Sequence, residues 1–306
     1  MISKKIFFFH IPKTAGTSVT VAMMQRFPHE RICPYAHREE LEANDISKLK
    51  QWDFFRGHLP LSICRQIPRL FVFTFLRNPV ERALSEYHYV TAQRQEIEEE
   101  IQEKKCTNWC VRPMRVYEQI NFKEAVGKRP DYIMERLNFQ TGWLAGKGEA
   151  WIDRDKENMN TLRIALANMK KIDFVGLVEH MDISLILLSW RLQIPLLSFP
   201  QLYKVNQNRP KGGWRQELVD MESELIQIAR MDQSLYAVAK ERLTREWEEF
   251  CGEIKMDSRR KLDESGYMQI EAFLNQRAEN KDWRAYLASH LRQLERKART
   301  FRKKIW

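Results

Sequence analysis

Seven consecutive residues, Leu70-Phe-Val-Phe-Thr-Phe-Leu76, form a nearly unbroken apolar run without the alternation of a half-exposed strand. A strand of this kind is buried on both faces, which requires helices on both sides of a parallel sheet. Short apolar runs of the same sort recur at Lys5–Ile11, Arg31–Pro34, Trp52–Arg56 and Asp173–Val178. Between them the apolar spacing changes to three and four. That spacing predicts helices over Thr17–Arg26, Arg38–Leu49, Pro79 to about Glu103, Tyr132–Phe139, Lys156–Lys170 and Ile183–Leu192. The expected fold class is α/β, a parallel sheet flanked by helices.

Beyond Pro200 the pattern changes. Gln201–Trp214 reads as a polar loop bearing Pro and Gly, Gln216–Phe250 as helix, and residues 251–306 as a helical extension. With 43% hydrophobic residues in a 306-residue chain there is ample material for a core, which excludes wholesale disorder. The formal charge is +10, and Trp283–Trp306 alone holds eight Lys or Arg against Glu295, a net +7. Such a tail suits an acidic glycan, an anionic membrane face or nucleic acid, or serves only to keep the chain in solution. No RRM, zinc-finger or KH signature supports nucleic acid as a partner. No apolar run reaches the 18 residues of a membrane span, and Met-Ile-Ser-Lys-Lys leads straight into a strand without a signal-peptide h-region, so the expected compartment is the cytoplasm. Five cysteines are too few and odd in number for a disulfide framework. Cys106-Thr-Asn-Trp-Cys110 lacks further ligands at metal spacing, so no metal is expected.

Two segments carry chemistry. In Phe7-Phe-Phe-His-Ile-Pro-Lys-Thr-Ala-Gly-Thr-Ser18 a buried strand turns through small residues into a helix. The first N–H groups of that helix, its dipole and the Lys13 ammonium suit an anion such as a phosphate, with the hydroxyls of Thr14, Thr17 and Ser18 as further donors. The lysine precedes the glycine, so the segment departs from the Walker pattern of ordinary NTPases. In the second segment the Leu70–Leu76 strand ends at Arg77-Asn-Pro-Val-Glu-Arg-Ala-Leu-Ser-Glu-Tyr-His-Tyr89. Asn78, Pro79 and Glu81 read as a helix start with a capping box. Arg77 then stands at the carboxyl edge of the sheet, where open α/β folds bind ligands, and Ser85 follows two turns up the helix, on one face with Arg82 and Tyr89.

Taken together, His10-Ile-Pro-Lys-Thr-Ala-Gly-Thr-Ser18 and Phe75-Leu-Arg-Asn-Pro-Val-Glu-Arg-Ala-Leu-Ser-Glu-Tyr87 resemble the carbohydrate sulfotransferases of the heparan sulfate 2-O-sulfotransferase type. The resemblance extends to Leu137–Gly146, Phe174–Asp182 and Asp232–Tyr236, and implies a P-loop-like fold that uses 3′-phosphoadenosine 5′-phosphosulfate (PAPS) as sulfuryl donor. It implies a 5′-phosphosulfate loop made of Pro12, Lys13, Thr14, Ala15, Gly16, Thr17 and Ser18, and a 3′-phosphate site at Arg77 and Ser85. Arg209 and Lys211, in the late polar loop, either close over the nucleotide or form a charged connector. Trp52-Asp-Phe-Phe-Arg-Gly-His-Leu59 is similar to the family's Gly-His step, where the histidine, here His58, is the catalytic base.

Sulfuryl transfer is an in-line displacement at sulfur. Lys13 and helix N–H groups can meet the charge on the leaving phosphate, and a histidine suits the acceptor proton. His10 either contacts the donor or holds the turn. The Golgi members' membrane anchor is missing here, so the resemblance is to a soluble bacterial-type member. The implied acceptor is a hydroxyl of a carbohydrate, glycolipid or small natural product. The implied organisation is a catalytic domain over residues 1–250 and a basic helical extension over 251–306. Two other functions fit the same fold, a kinase-like phosphotransferase and a nucleotide-binding relative without transfer activity.

Overall fold

The structure, a computed structural model, describes residues 4–36, 46–65, 69–93, 115–147, 158–197 and 221–278, with residues 40, 67, 98, 113 and 218 singly. Four parallel strands, β1 (Lys5–Phe8), β2 (Phe54–Phe55), β3 (Leu70–Leu76) and β4 (Phe174–Leu177), form a sheet in the order β2-β1-β3-β4. In register, Ile6 faces Phe54, Phe8 faces Phe73 and Phe73 faces Phe174. The Phe8 and Phe73 rings stack at 4.8 Å, so the phenylalanines that make these strands apolar also pack the register. Phe73 and Phe75 are wholly buried, as a strand covered on both faces requires.

The helices are α1 (Gly16–Met24), α2 (Pro79–Ala92), α3 (Phe122–Lys128), α4 (Pro130–Leu137), α5 (Phe139–Leu144), α6 (Asn158–Met169), α7 (Met181–Leu192), α8 (Glu222–Ile228), α9 (Arg230–Glu253) and α10 (Glu264–Arg277). One core gathers the strands with residues of α1, α5, α6, α7, α9 and α10. A second joins Leu84 and Val90 of α2 to Tyr132, Ile133, Leu225 and Ala229. Ile270 and Leu274 of α10, within the expected extension, are buried in the first core. No helix among the described residues is long and apolar enough to cross a membrane.

Several elements differ from expectation for visible reasons. Arg31–Pro34 is reduced to one bridge, Ile32 with Phe54, because His29–Arg31 winds into a 3₁₀ turn and Pro34 has no N–H to extend a ladder. The single helix expected over Gln216–Phe250 is broken between α8 and α9. There the Asn138 side chain donates to Ile228 O at 2.8 Å and accepts from Met231 and Asp232 N–H at 3.1 and 3.3 Å, satisfying both helix ends at once. Asn138 likewise separates α4 from α5, where one helix was expected over Tyr132–Phe139. Helix α2 ends at Ala92, where Gln93 leaves helical geometry as its C-cap, short of the expected end near Glu103; most of Arg38–Leu49 and all of Cys106–Cys110 lie outside the described residues.

Between β1 and β3 the chain's connections leave in opposite directions, toward β2 on one side and β4 on the other. This is the switch point at which an open α/β sheet leaves a crevice at its carboxyl edge.

Candidate active site

The loop after β1 is built by its own short-range bonds. The Phe9 carbonyl accepts from Thr74 Oγ1 at 2.7 Å. The Ile11 carbonyl accepts from both the N–H and the hydroxyl of Thr14, at 3.3 and 2.8 Å. The buried Thr14 hydroxyl therefore shapes the turn. Lys13 and Ala15 both adopt left-handed backbone, φ 70° and 64°, and Ala15 precedes α1 without any side-chain cap. Two left-handed residues just before an uncapped helix start turn backbone N–H groups toward a site suited to an anion. Gly16 opens α1, with Thr17 exposed and Ser18 half-buried beside it. A Cβ on Gly16 would fall 1.7 Å from His10 Nε2, so the glycine is what lets the imidazole lie against the loop.

Arg77 emerges directly from β3, 7% exposed, with Nη1 3.5 Å from the Lys13 carbonyl, the outer limit of a hydrogen bond. Its backbone is held on both sides by one side chain: Arg77 N–H donates to Gln140 Oε1 at 2.9 Å, and Gln140 Nε2 donates to Arg77 O at 2.8 Å. Asp232 in turn accepts from the N–H groups of Gln140 and Thr141 and from both of their side chains, at 2.6 to 3.2 Å. Burial pushes the Asp232 carboxyl up while these four donors oppose it. The Asn78 side chain caps α2 through Val80 and Glu81 N–H as expected. The reciprocal half of the box is a correction, because Asn78 N–H donates to Glu179 Oε1 at 2.8 Å, while Glu81 pairs with Arg77 at 3.6 Å. Glu179 also accepts from Tyr236 OH at 2.7 Å. The segments Leu137–Gly146, Phe174–Asp182 and Asp232–Tyr236 thus meet around the Arg77–Asn78 turn.

His58 follows β2. Gly57 before it has φ +101°, and a Cβ there would fall 2.4 Å from the Ala36 carbonyl, which accepts from His58 N–H at 2.7 Å. The His58 ring stacks on His10 at 4.7 Å and meets the Trp143 indole edge-on at 5.6 Å. Its Nδ1 lies 3.2 Å from the His10 carbonyl. A carbonyl can only accept, so Nδ1 carries a proton, and in the neutral form of the ring the lone pair stands on Nε2. Burial, with His58 and Lys13 adding to it, holds His10 well below the ordinary histidine value.

Lys13 Nζ lies 3.8 Å from the centre of the Tyr89 ring. Burial pulls this ammonium down to about 8; Glu86 opposes that, and Arg77 and Arg82 add to it. Glu86 belongs to a buried cluster in which its Oε2 pairs with Arg82 at 3.0 Å and Arg136 at 3.6 Å, and Arg136 pairs with Glu135. Both guanidinium groups lie over the Phe139 ring, at 4.4 and 4.7 Å.

Pro12 to Ser18, Arg77 and His58 therefore emerge from the carboxyl ends of three neighbouring strands, and Ser85 stands half-buried on α2. Arg209 and Lys211 lie outside the described residues. Sequence reading assigned no role to Gln140, Asp232, Glu86 or Trp143; the side-chain partners of Gln140 and Asp232 lie 63 to 92 residues away, though the Asn121 and Glu124 capping box of α3 was legible and passed over.

The Sulfotransferase family matches residues 3–300. Among curated proteins none matches the chain. The family match takes in the sheet, the crevice and both cores, and on that ground this chain belongs to the Sulfotransferase family.

Proposed function

We propose that the protein is a PAPS-dependent O-sulfotransferase acting on a hydroxyl of a carbohydrate or glycoconjugate. The observation that carries this reading is the order β2-β1-β3, whose carboxyl ends lead to His58, to the Lys13 loop and to Arg77. The residues fit the donor: an uncapped helix start with two left-handed residues offers N–H groups to one anionic group, and the buried Arg77 guanidinium offers a second anion site beside it. PAPS supplies the sulfuryl group, whose sulfur leaves the phosphate oxygen as the acceptor oxygen bonds to it.

In this reading the loop N–H groups and Lys13 hold the phosphosulfate and meet the charge that develops on the leaving phosphate. Arg77, its backbone fixed by Gln140, holds the 3′-phosphate with Ser85. His58 takes the acceptor proton on Nε2, since Nδ1 donates to His10 O. His10, kept neutral, holds the base against the loop instead of competing for that proton.

The test is binding of adenosine 3′,5′-bisphosphate against ATP, followed by transfer from labelled PAPS to an array of glycans, glycolipids and small hydroxylated acceptors. Preference for the bisphosphate together with a labelled product is expected. Equal or tighter binding of ATP overturns the donor assignment. Bisphosphate binding without transfer to any acceptor favours a binding protein that has lost the chemistry.

A further inference from the structure

Lys13 is surrounded by groups from three elements. The end of β1 contributes His10, the end of β3 contributes Arg77, and α2 contributes Arg82, Glu86 and Tyr89. His10 is neutral, and the two arginines repel an ammonium, so among the described residues the attraction comes from Glu86 and Tyr89 on α2. Tyr89 presents its ring face to Nζ at 3.8 Å, which is cation–π contact. Glu86 stands three residues earlier on the same helix, hence on the same side, and is fully buried. Its Oε2 is taken by Arg82 and Arg136, while its Oε1 has no hydrogen-bond partner among the described residues, so part of its charge is left to act on its surroundings.

From this arrangement we propose that Tyr89 and Glu86 form a seat on α2 that holds the Lys13 ammonium beside the α1 loop before the donor arrives, making Tyr89 a positioning residue for sulfuryl transfer. The proposal rests on the donor reading above. Its physical content is that Lys13 works only as a cation. A buried ammonium flanked by Arg77 and Arg82 gives up its proton readily, and the seat offsets that tendency. Removing the ring lowers the pH at which Lys13 becomes neutral. Removing only the phenolic oxygen does not, because the ring face makes the contact.

The experiment compares the full chain with Tyr89→Phe and Tyr89→Leu. Lys13 is titrated without donor, by competitive labelling with trace acetic anhydride across pH 6–11 and peptide mass spectrometry. The expected result is a midpoint lowered by about 0.5–1 pH unit in Tyr89→Leu and unchanged in Tyr89→Phe. The high-pH limb of kcat/KM for PAPS should move down by the same amount in the leucine variant only. Equal midpoints in the two variants overturn the seat even if the wild type transfers sulfate. A shifted midpoint in a protein that binds no adenosine 3′,5′-bisphosphate overturns the link to sulfuryl transfer and, with it, the donor reading. Should Tyr89→Leu unfold, Tyr89→Met removes the ring at closer volume and is read by the same criteria.

Discussion

The rings of His10 and His58 stack at 4.7 Å, and the backbone carbonyl of His10 accepts a hydrogen bond from His58 Nδ1, 3.2 Å away. One residue thus touches the proposed base twice, through its ring and its main chain, while its ring also rests on Gly16 at the head of α1. The loop proposed to hold the donor and the base proposed to serve the acceptor are one packed unit. In the proposed mechanism, displacement of either is transmitted to the other.

Replacing the base tests the proton-transfer role. His58→Ala should lower kcat by roughly 10²–10⁴, the range for losing a general base, with adenosine 3′,5′-bisphosphate affinity nearly unchanged. His10→Ala should weaken that affinity as well, since its ring packs against the loop. A normal kcat in His58→Ala, with kcat lost in His10→Ala at intact donor affinity, would move the base to His10.

Arg77 should matter only to ligands that carry a 3′-phosphate. Arg77→Ala is expected to weaken adenosine 3′,5′-bisphosphate by about 1.5–3 kcal/mol, the scale of a hydrogen bond to a charged group. Adenosine 5′-phosphate should bind both proteins alike. Calorimetry with the two nucleotides measures the difference, and equal losses for both would refute the 3′-phosphate assignment.

Gly57→Ala forces a side chain onto a φ of +101° with the Ala36 carbonyl 2.4 Å from the new Cβ. The strain should cost about 1–3 kcal/mol in urea unfolding. Because His58 is the next residue and donates its N–H to that same carbonyl, kcat should fall more than donor affinity does. Unchanged stability and kcat together would show that this turn does not position the histidine.

Asp232 accepts four hydrogen bonds from Gln140 and Thr141 in a fully buried site. In Asp232→Ala each abandoned buried donor costs about 1–3 kcal/mol, so a total loss above about 3 kcal/mol is expected. Gln140→Leu is the gentler probe of the same relay. It should weaken adenosine 3′,5′-bisphosphate by releasing the Arg77 backbone, while adenosine 5′-phosphate binding holds. Full bisphosphate affinity in Gln140→Leu would separate the clamp from the anion site.

The pH dependence follows from Lys13, which burial lowers to about 8 from the ordinary 10.5. The rate constant kcat/KM for PAPS should fall as pH rises through about 8 and the ammonium is lost. Stability moves the other way. The unfolded chain binds more protons than the folded one between the two values, so this group's contribution to folding improves from about pH 8 to 10.5. Lys13→Met should remove that rise, as measured by urea unfolding at pH 7.5 and 9.5. An equal rise in both proteins would place the titration elsewhere.

Local rules sufficed where a segment's fate depends on its own residues. The apolar run Leu70–Leu76 is β3 over the expected residues, because a strand without a polar face can only be central. Pro79 after Asn78 starts α2 on the expected residue, and the small residues after Lys13 turn β1 into α1. Family membership was legible for the same reason, since the two motifs are contiguous strand–turn–helix units. Tertiary structure decided what depends on distant partners. The Asn78 box lost its second half to Glu179, 101 residues away, and one helix became α8 and α9 because Asn138 caps both ends. Left-handed backbone at Lys13 and Ala15, the clamp of Arg77 by Gln140 and the stacking of His10 on His58 have no local signature. Each depends on chain segments far apart in sequence, and only the assembled sheet brings those segments within reach of one another.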